Sequence, residues 1–146
     1  MFGQVVVMME MGLTGDMPTE AKPAQEAQVA AEPTLQLTAT EEAMLEQTNQ
    51  QRTARGMKPL VVDPTLVDSA RKHANWMASM RTMRHTSAPV GENIAMGQNT
   101  VETVIRTWMN SSGHRANILS RSWNRLGAAA YTSPEGRVYW CLQFLR

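Results

Sequence analysis

Three residues have the types and surroundings that chemistry requires: His85 in RHTS, Glu92 in GEN and His114 in GHR. All three are expected in loops or at the ends of elements, where functional residues collect. Two imidazoles and a carboxylate from separate segments could bind a metal such as zinc and leave one position open for water. They could also form a proton-relay cluster in which Glu92 orients a histidine or acts as a base. The separations of seven and 22 residues match no local metal-binding motif, so a structural role for each histidine stays open.

Other reactive side chains favour structural roles. His73 lies beside Lys72 in the middle of a predicted helix, and we expect it to be structural or exposed to solvent. Cys141, the single cysteine, lies in an apolar run, which predicts a buried and inert thiol. Ser111 and Ser112 resemble a nucleophile pair, but without a GxSxG pattern we expect them to end one helix and cap the next.

Two helices are predicted ahead of the candidate residues. Thr38 and Glu41 match a capping box and Gly56 is a stop signal, so the first helix should run over about 40–55. Apolar residues then recur every four positions over about 64–80, after an Asp-Pro pair that suits a helix start. Both helices therefore precede the segment with the first candidate residues.

The segment over 81–99 holds His85 and Glu92 and shows little periodicity, with one proline and two glycines. A long ordered loop in a compact domain is usually functional, and Gly91 is expected to provide a tight turn. A third amphipathic helix is predicted over about 100–110. A turn and a short helix follow within SSGHRANIL, which carries the second candidate histidine.

The C-terminal part of the sequence predicts a β-hairpin. Residues 126–132 and 137–145 form two β-rich runs on either side of an SPEG turn. The second run is apolar on both faces, so this strand should be central, with helices on both sides. Helices first and a hairpin last predict an α+β fold, a three-layer α/β/α sandwich whose central sheet is mostly antiparallel.

Length and charge limit the possible functions. The 146 residues suffice for one domain with a real core, and the net charge is only +1. The charge is uneven, because residues 1–40 carry −4, residues 41–70 carry −2 and residues 71–146 carry +7. The scattered basic residues favour a solvated face over an anionic partner such as a membrane surface or a cell-wall polymer. Since no nucleic-acid-binding motif accompanies the charge, we expect no nucleic-acid partner.

Residues 1–39 are expected to form a disordered N-terminal tail or linker, which leaves 40–146 as the folded domain. The stretch over 14–39 contains three prolines, many Ala, Glu and Gln residues and no apolar period. The apolar run Val5–Met9 is too short to span a membrane and lacks the features of a signal peptide, so we expect no transmembrane segment. Either the protein is cytoplasmic or the chain begins inside a longer secreted precursor.

Four separated blocks together resemble the bacterial branch of the CAP superfamily, also called SCP-like domains, over about residues 40–146. The order and the distances of the blocks make the resemblance specific, whereas GEN or GHR alone would mean little. The blocks are LEQTNQQRTARGMKPLVVDPTLVDSARKHANWMA, HTSAPVGENIAMGQ, TVIRTWMNSSGHRANIL and GRVYWCLQF.

The resemblance implies an α/β/α sandwich with a surface cleft, which many members line with two histidines and two glutamates. His85, Glu92 and His114 match three of these residues. In the animal members the second glutamate lies three positions after a Trp, and the matching residue after Trp108 is Ser111. The set is therefore incomplete, which argues against a mechanism that needs two carboxylates.

The resemblance also implies an extracellular or cell-envelope protein. We expect a module whose polar cleft binds an extracellular ligand: a lipid, a glycan, a protein or a cell-wall component. It requires no cofactor, although zinc could bind at His85 and His114. A metal-assisted, peptidase-like hydrolase that uses His85, Glu92 and His114 is the alternative, and a structural polar cluster without a ligand is the third hypothesis. The other residues expected to line the cleft are Asn93, Ser111, Arg115 and Asn117.

Overall fold

The structure, a computed structural model, describes residues 34–146. Most of the expected N-terminal tail, residues 1–33, lies outside the described residues. Over residues 34–146, no helix has the length and apolar character needed to cross a membrane. The elements are α1 (Ala39–Thr53), β1 (Val61–Val62), α2 (Pro64–Met80), β2 (Gly91–Met96), α3 (Val101–Met109), α4 (Ser112–Ile118), β3 (Arg125–Thr132) and β4 (Val138–Leu145).

The first two helices begin where the sequence predicts. Thr38 Oγ1 accepts a hydrogen bond from the backbone N–H of Glu41 at 3.1 Å, and the Thr38 N–H donates to the Glu41 carboxylate at 2.9 Å. These reciprocal bonds complete the predicted capping box. Asp63 caps α2, because its carboxylate accepts from the Thr65 N–H at 2.8 Å. Gly56 adopts a left-handed φ of 69° just beyond the end of α1.

The strands form one sheet in the order β1-β3-β4-β2. β1 runs parallel to β3, while β3 and β2 both run antiparallel to β4, which lies between them. β4 is buried along nearly its whole length, which suits a strand that is apolar on both faces. The prediction of a mostly antiparallel sheet with a central last strand is confirmed.

Helices cover both faces of this sheet, so the three-layer α/β/α sandwich is confirmed. α2 packs on one face, and α1, α3 and α4 pack on the other. The core on the α2 side consists of Ala70, Ala74, Met77, Ala78, Ile94, Ala129, Tyr139 and Cys141. The core on the opposite side includes Met44, Leu45, Val104, Ile105, Trp108, Ile118, Leu126, Trp140, Leu142 and Phe144.

The prediction of an irregular loop over all of residues 81–99 is wrong, because Gly91–Met96 form the strand β2. Every residue of β2 pairs with a residue of β4. Two buried polar residues, Glu92 and Asn93, interrupt the apolar alternation from which a strand would have been predicted. The irregular segment between α2 and β2 is therefore confined to residues 81–90.

Gly91 does not form the tight turn that was expected. It lies in β2, and a Cβ at this position would lie 2.5 Å from the ring of Trp123. Trp123 stacks on Phe144, the cross-strand neighbour of Gly91, with the ring centroids 6.0 Å apart. The absence of a side chain at Gly91 therefore allows the indole to pack against the edge of the sheet.

The sheet and α2 approach each other closely at Gly127 of β3. A Cβ there would lie 2.3 Å from the backbone carbonyl carbon of Leu66. We expect Gly127→Ala to lower the free energy of unfolding by about 2 kcal/mol, since overpacking a core costs roughly 1–3 kcal/mol. Urea unfolding measures the change.

Gly113→Ala in α4 is the matched control for this substitution. A Cβ at Gly113 meets open space, and alanine is the better helix former, so stability should stay the same or rise slightly. Equal losses in the two variants would contradict the close approach at Gly127.

Candidate functional site

The carboxylate of Glu92 is buried at the edge of the sheet. Glu92 lies in β2 and only 7% of its surface is exposed. Its Oε1 accepts a hydrogen bond from His85 Nδ1 at 2.8 Å and one from the backbone N–H of Thr86 at 2.9 Å. The segment between α2 and β2 is thus fastened to the sheet through this one oxygen.

The second carboxylate oxygen of Glu92 is held by β4. Gln143, directly opposite Glu92 in the sheet, donates from Nε2 to Oε2 at 3.0 Å. The Cys141 thiol donates a weak hydrogen bond to the same oxygen at 3.6 Å. The predicted burial of Cys141 is confirmed, and burial together with the adjacent carboxylate raises its pKa well above the ordinary value, which disfavours the reactive thiolate.

His85 presents one free nitrogen to solvent. A proton on Nδ1 satisfies the contact with Glu92, which leaves the lone pair on Nε2. Nε2 has no hydrogen-bond partner within residues 34–146, and 62% of the side chain is exposed. Glu92 therefore orients His85 so that Nε2 can accept a hydrogen bond or take up a proton.

His73 lies closer to this arrangement than sequence reasoning expected. Its Nε2 donates to the backbone carbonyl of Arg84 at 2.6 Å and lies 3.9 Å from Glu92 Oε1. Its ring stacks on Trp76, with centroids 5.6 Å apart, and the Arg84 guanidinium lies 5.8 Å from the Trp76 ring centroid. The structural role predicted for His73 includes fixing the backbone next to His85. The stacking of these rings could have been predicted from the sequence, because His73 and Trp76 lie three residues apart and therefore share one face of the helix.

His114 is placed on the other side of β2 by α4. Its Nδ1 lies 2.8 Å from Ser111 Oγ, and its backbone carbonyl accepts from Asn93 Nδ2 at 3.0 Å. Burial, followed by the electrostatic effect of the neighbouring His85, lowers the pKa of His114 below its ordinary value. Ser111 is the N-cap residue of α4 but makes no side-chain cap hydrogen bond, because its hydroxyl pairs with His114 instead.

Two asparagines connect α4 to β2. Asn117 Nδ2 donates to Asn93 Oδ1 at 2.9 Å and to the Glu92 backbone carbonyl at 3.3 Å. The Asn117 carbonyl accepts from Trp123 Nε1 at 3.1 Å. Asn93 is completely buried, so its side-chain bonds fix the position of α4. We call His85, Glu92, Asn93, His114 and Asn117 the Glu92 cluster.

Arg115 lies apart from these contacts. It is exposed on α4, and its guanidinium forms no hydrogen bond or ion pair with any residue of the described part of the chain. Asn117, in contrast, lines a cavity of about 640 Å³ together with Pro89, Val90 and Trp123. Of the residues predicted from the sequence, the structure therefore brings His85, Glu92, Asn93, Ser111, His114 and Asn117 together, and Arg115 remains at the periphery.

The fold and these residues match a known family. The family model described as CAP, the cysteine-rich secretory protein family, matches residues 45–144. The chain belongs to this family. The uncharacterized protein YkwD of Bacillus subtilis (strain 168) is 35% identical over 126 residues, which cover 75% of this chain and 48% of YkwD. The chain thus spans about half the length of this relative.

Solved structures of bacterial proteins have the same fold. An outer surface protein of Borrelia burgdorferi superposes with a TM-score of 0.66 at 19% identity, over 73% of this chain and 94% of that one. A cysteine-rich secretory protein of Staphylococcus aureus has a TM-score of 0.61 at 25% identity, over 77% of this chain and 40% of that one. The predicted membership of the bacterial CAP branch is confirmed.

The donor set of this CAP domain does not fit a three-ligand zinc centre. Within residues 34–146, no three His, Cys, Asp or Glu side chains are grouped as metal ligands. Both oxygens of Glu92 are taken by N–H and S–H donors. The potential metal ligands of the site that remain unengaged are the Nε2 atoms of His85 and His114. Two imidazoles are fewer than the three protein ligands of a catalytic zinc.

Removing the Glu92 carboxylate should destabilise the fold. We expect Glu92→Ala to lower the free energy of unfolding by about 1–3 kcal/mol, because its donors lose a buried acceptor. Urea unfolding tests this, with Glu46→Ala as the control for loss of an exposed helical carboxylate. The control should change stability by less than about 0.5 kcal/mol. A Glu92→Ala variant as stable as the control would contradict the described hydrogen bonds.

The pKa of His114 reports its position beside His85. Because burial and His85 lower this pKa, His114 contributes stability above the ordinary pKa of 6.5 that is lost as the pH falls through the lowered value. We expect an NMR titration to place the His114 pKa below 6.5, and His85→Ala to raise it. Lys72→Ala removes an exposed charge elsewhere and should leave it unchanged. An unaltered His114 pKa in His85→Ala would show that the two imidazoles do not interact.

Proposed function

We propose that this chain is an extracellular or envelope-associated CAP module that binds an extracellular ligand in a polar cleft bordered by His85 and His114. The observation that supports binding over catalysis is the engagement of Glu92 by four donors. A carboxylate held in this way orients other groups. It has no free lone pair aimed at a substrate, as a general base would need.

The surface around His85 has the chemistry of a binding site. A cavity of about 230 Å³ lies beside His85. It combines an aromatic ring, a guanidinium, two imidazoles and two hydroxyls, a mixture that can pair with the polar groups of a glycan, a lipid headgroup or a protein. Its lining residues are His73, Trp76, Arg84, His85, Thr86 and Ser87.

The proposed location rests on the family and on the relatives. One structural relative is an outer surface protein and another is a secretory protein by name. The family to which this chain belongs is named for secretory proteins. A ligand from the cell surface or from outside the cell is therefore the class to test first.

Sedimentation with insoluble cell-wall glycan and with anionic lipid vesicles tests the binding proposal. We expect the wild-type chain to co-sediment with one of them, and His85→Ala and His114→Ala to weaken this binding at least about tenfold, or roughly 1.4 kcal/mol. Asn75→Ala, an exposed change on α2, is the control and should bind like wild type. Retention of binding in both histidine variants would contradict the proposal that the ligand binds in the cleft.

The alternative, a metal-assisted hydrolase, is tested by zinc titration calorimetry on the same variants. Because only two imidazole nitrogens are unengaged in the Glu92 cluster, we expect no saturable binding of one zinc equivalent at neutral pH. Binding of one equivalent that is lost in both His85→Ala and His114→Ala would instead favour the hydrolase. A purely structural cluster would show neither ligand nor zinc binding, while Glu92→Ala would still lower stability.

A further inference from the structure

Arg52 of α1 is a buried cation without an anionic partner. It is 3% exposed, yet no carboxylate of residues 34–146 lies within ion-pair distance. Its guanidinium donates to three backbone carbonyls: Nε to Lys58 at 3.0 Å, and Nη1 to Ile118 at 2.9 Å and Ser120 at 2.7 Å. A buried charge is costly unless it is paired, so this guanidinium has a positive charge left uncompensated.

Two other arginines of the fold show the contrast. Arg71 pairs with Glu41 at 2.6 Å, and Arg125 pairs with Asp63 at 2.8 Å, although both arginines are more exposed than Arg52. The most buried guanidinium of these three is therefore the one that lacks a carboxylate.

Arg52 also borders a cavity. Its Nη2 donates to no group in the described part of the chain, and Arg52 lines a cavity of about 460 Å³. Lys58 and Arg121 line the same cavity, are exposed and form no ion pair with residues 34–146. Burial and the nearby Arg121 lower the pKa of Arg52, as expected where like charges face each other. The cavity thus gathers three basic side chains and no acidic one.

We propose that this cavity binds the phosphate group of a small phosphate ester. Arg52 cannot offer a carboxylate the usual two-pronged pairing, because its Nε and Nη1 are already engaged by carbonyls. A tetrahedral dianion can instead take single hydrogen bonds from several cations around it. The apolar walls, which include Met57, Leu60 and Trp123, suit the organic part of an ester.

The cavity is independent of the Glu92 cluster. It lies between the C-terminal end of α1, the segment that follows it and the residues that lead into β3. None of its lining residues belongs to the cluster. The three carbonyl contacts of Arg52 tie these segments together, so the cation is already in position before a ligand arrives.

Calorimetry with inorganic phosphate and with glycerol phosphate, at constant ionic strength, tests the proposal. We expect saturable binding of one equivalent that weakens at least tenfold in Arg121→Ala and in Lys58→Ala. These residues make no side-chain hydrogen bonds within the described chain, so their variants should fold normally. Arg106→Ala, an exposed change of the same net charge on α3, is the control and should bind like wild type.

Sedimentation with phosphatidic acid vesicles, whose headgroup is a phosphate monoester, separates a lipid headgroup from a soluble ester as the source of the phosphate. Either binding partner supports the site if Arg121→Ala weakens its binding at least tenfold and Arg106→Ala does not. Absence of binding to inorganic phosphate, to glycerol phosphate and to the vesicles alike, or equal weakening by Arg106→Ala and Arg121→Ala, would overturn the proposal. Because His85→Ala leaves this cavity intact, loss of cleft binding and loss of phosphate binding are distinguishable.

Discussion

The placement of the site depends on one buried carboxylate. Taking a carboxylate out of water costs several kcal/mol unless its oxygens accept hydrogen bonds from protein donors. Glu92 meets this requirement with four donors at 2.8–3.6 Å, two from the segment before β2 and two from β4. His85 and Thr86 must lie over Glu92 for this to hold. The path of residues 81–90 and the tautomer of His85 both follow from that need.

The alternation of side chains along β2 then divides the cluster between the two faces of the sheet. Glu92 points to the α2 side, where it meets Cys141 and approaches His73. Asn93, the next residue, points to the opposite side and holds the backbone of His114 in α4. Two adjacent residues of an edge strand therefore hold the two segments that carry the histidines, residues 81–90 through Glu92 and α4 through Asn93.

The sequence predicted those parts of the fold whose signals are local. The capping box at Thr38 and the two apolar faces of β4 each arise within a few residues, and both predictions are confirmed. The strand β2 was not predicted, because its buried Glu92 and Asn93 are stabilised by partners far along the chain, at Gln143 and in α4.

The candidate site was predicted to a different degree from the fold. The resemblance to the CAP family identified His85, Glu92 and His114. No local sequence pattern predicts that Ser111 forms a hydrogen bond with His114 instead of capping its own helix. The role of His73 depends on the carbonyl of Arg84, eleven residues away. Hydrogen bonds between distant segments follow from tertiary packing, which periodicity does not encode.

Two buried charges of this small domain differ in how many of their hydrogen-bonding groups already have protein partners. A fully engaged charge stabilises the fold, whereas a partly engaged charge can bind a ligand. Each carboxylate oxygen of Glu92 accepts from two donors, so a ligand arriving there would have to displace an existing hydrogen bond. Arg52 keeps its charge uncompensated and one nitrogen unengaged, beside Lys58 and Arg121. An anion at Arg52 adds an interaction without breaking one, so the free energy of binding is not spent on replacing protein contacts. By the same reasoning, a ligand at the Glu92 cluster must bind to the exposed nitrogen of His85 without displacing the hydrogen bonds of Glu92.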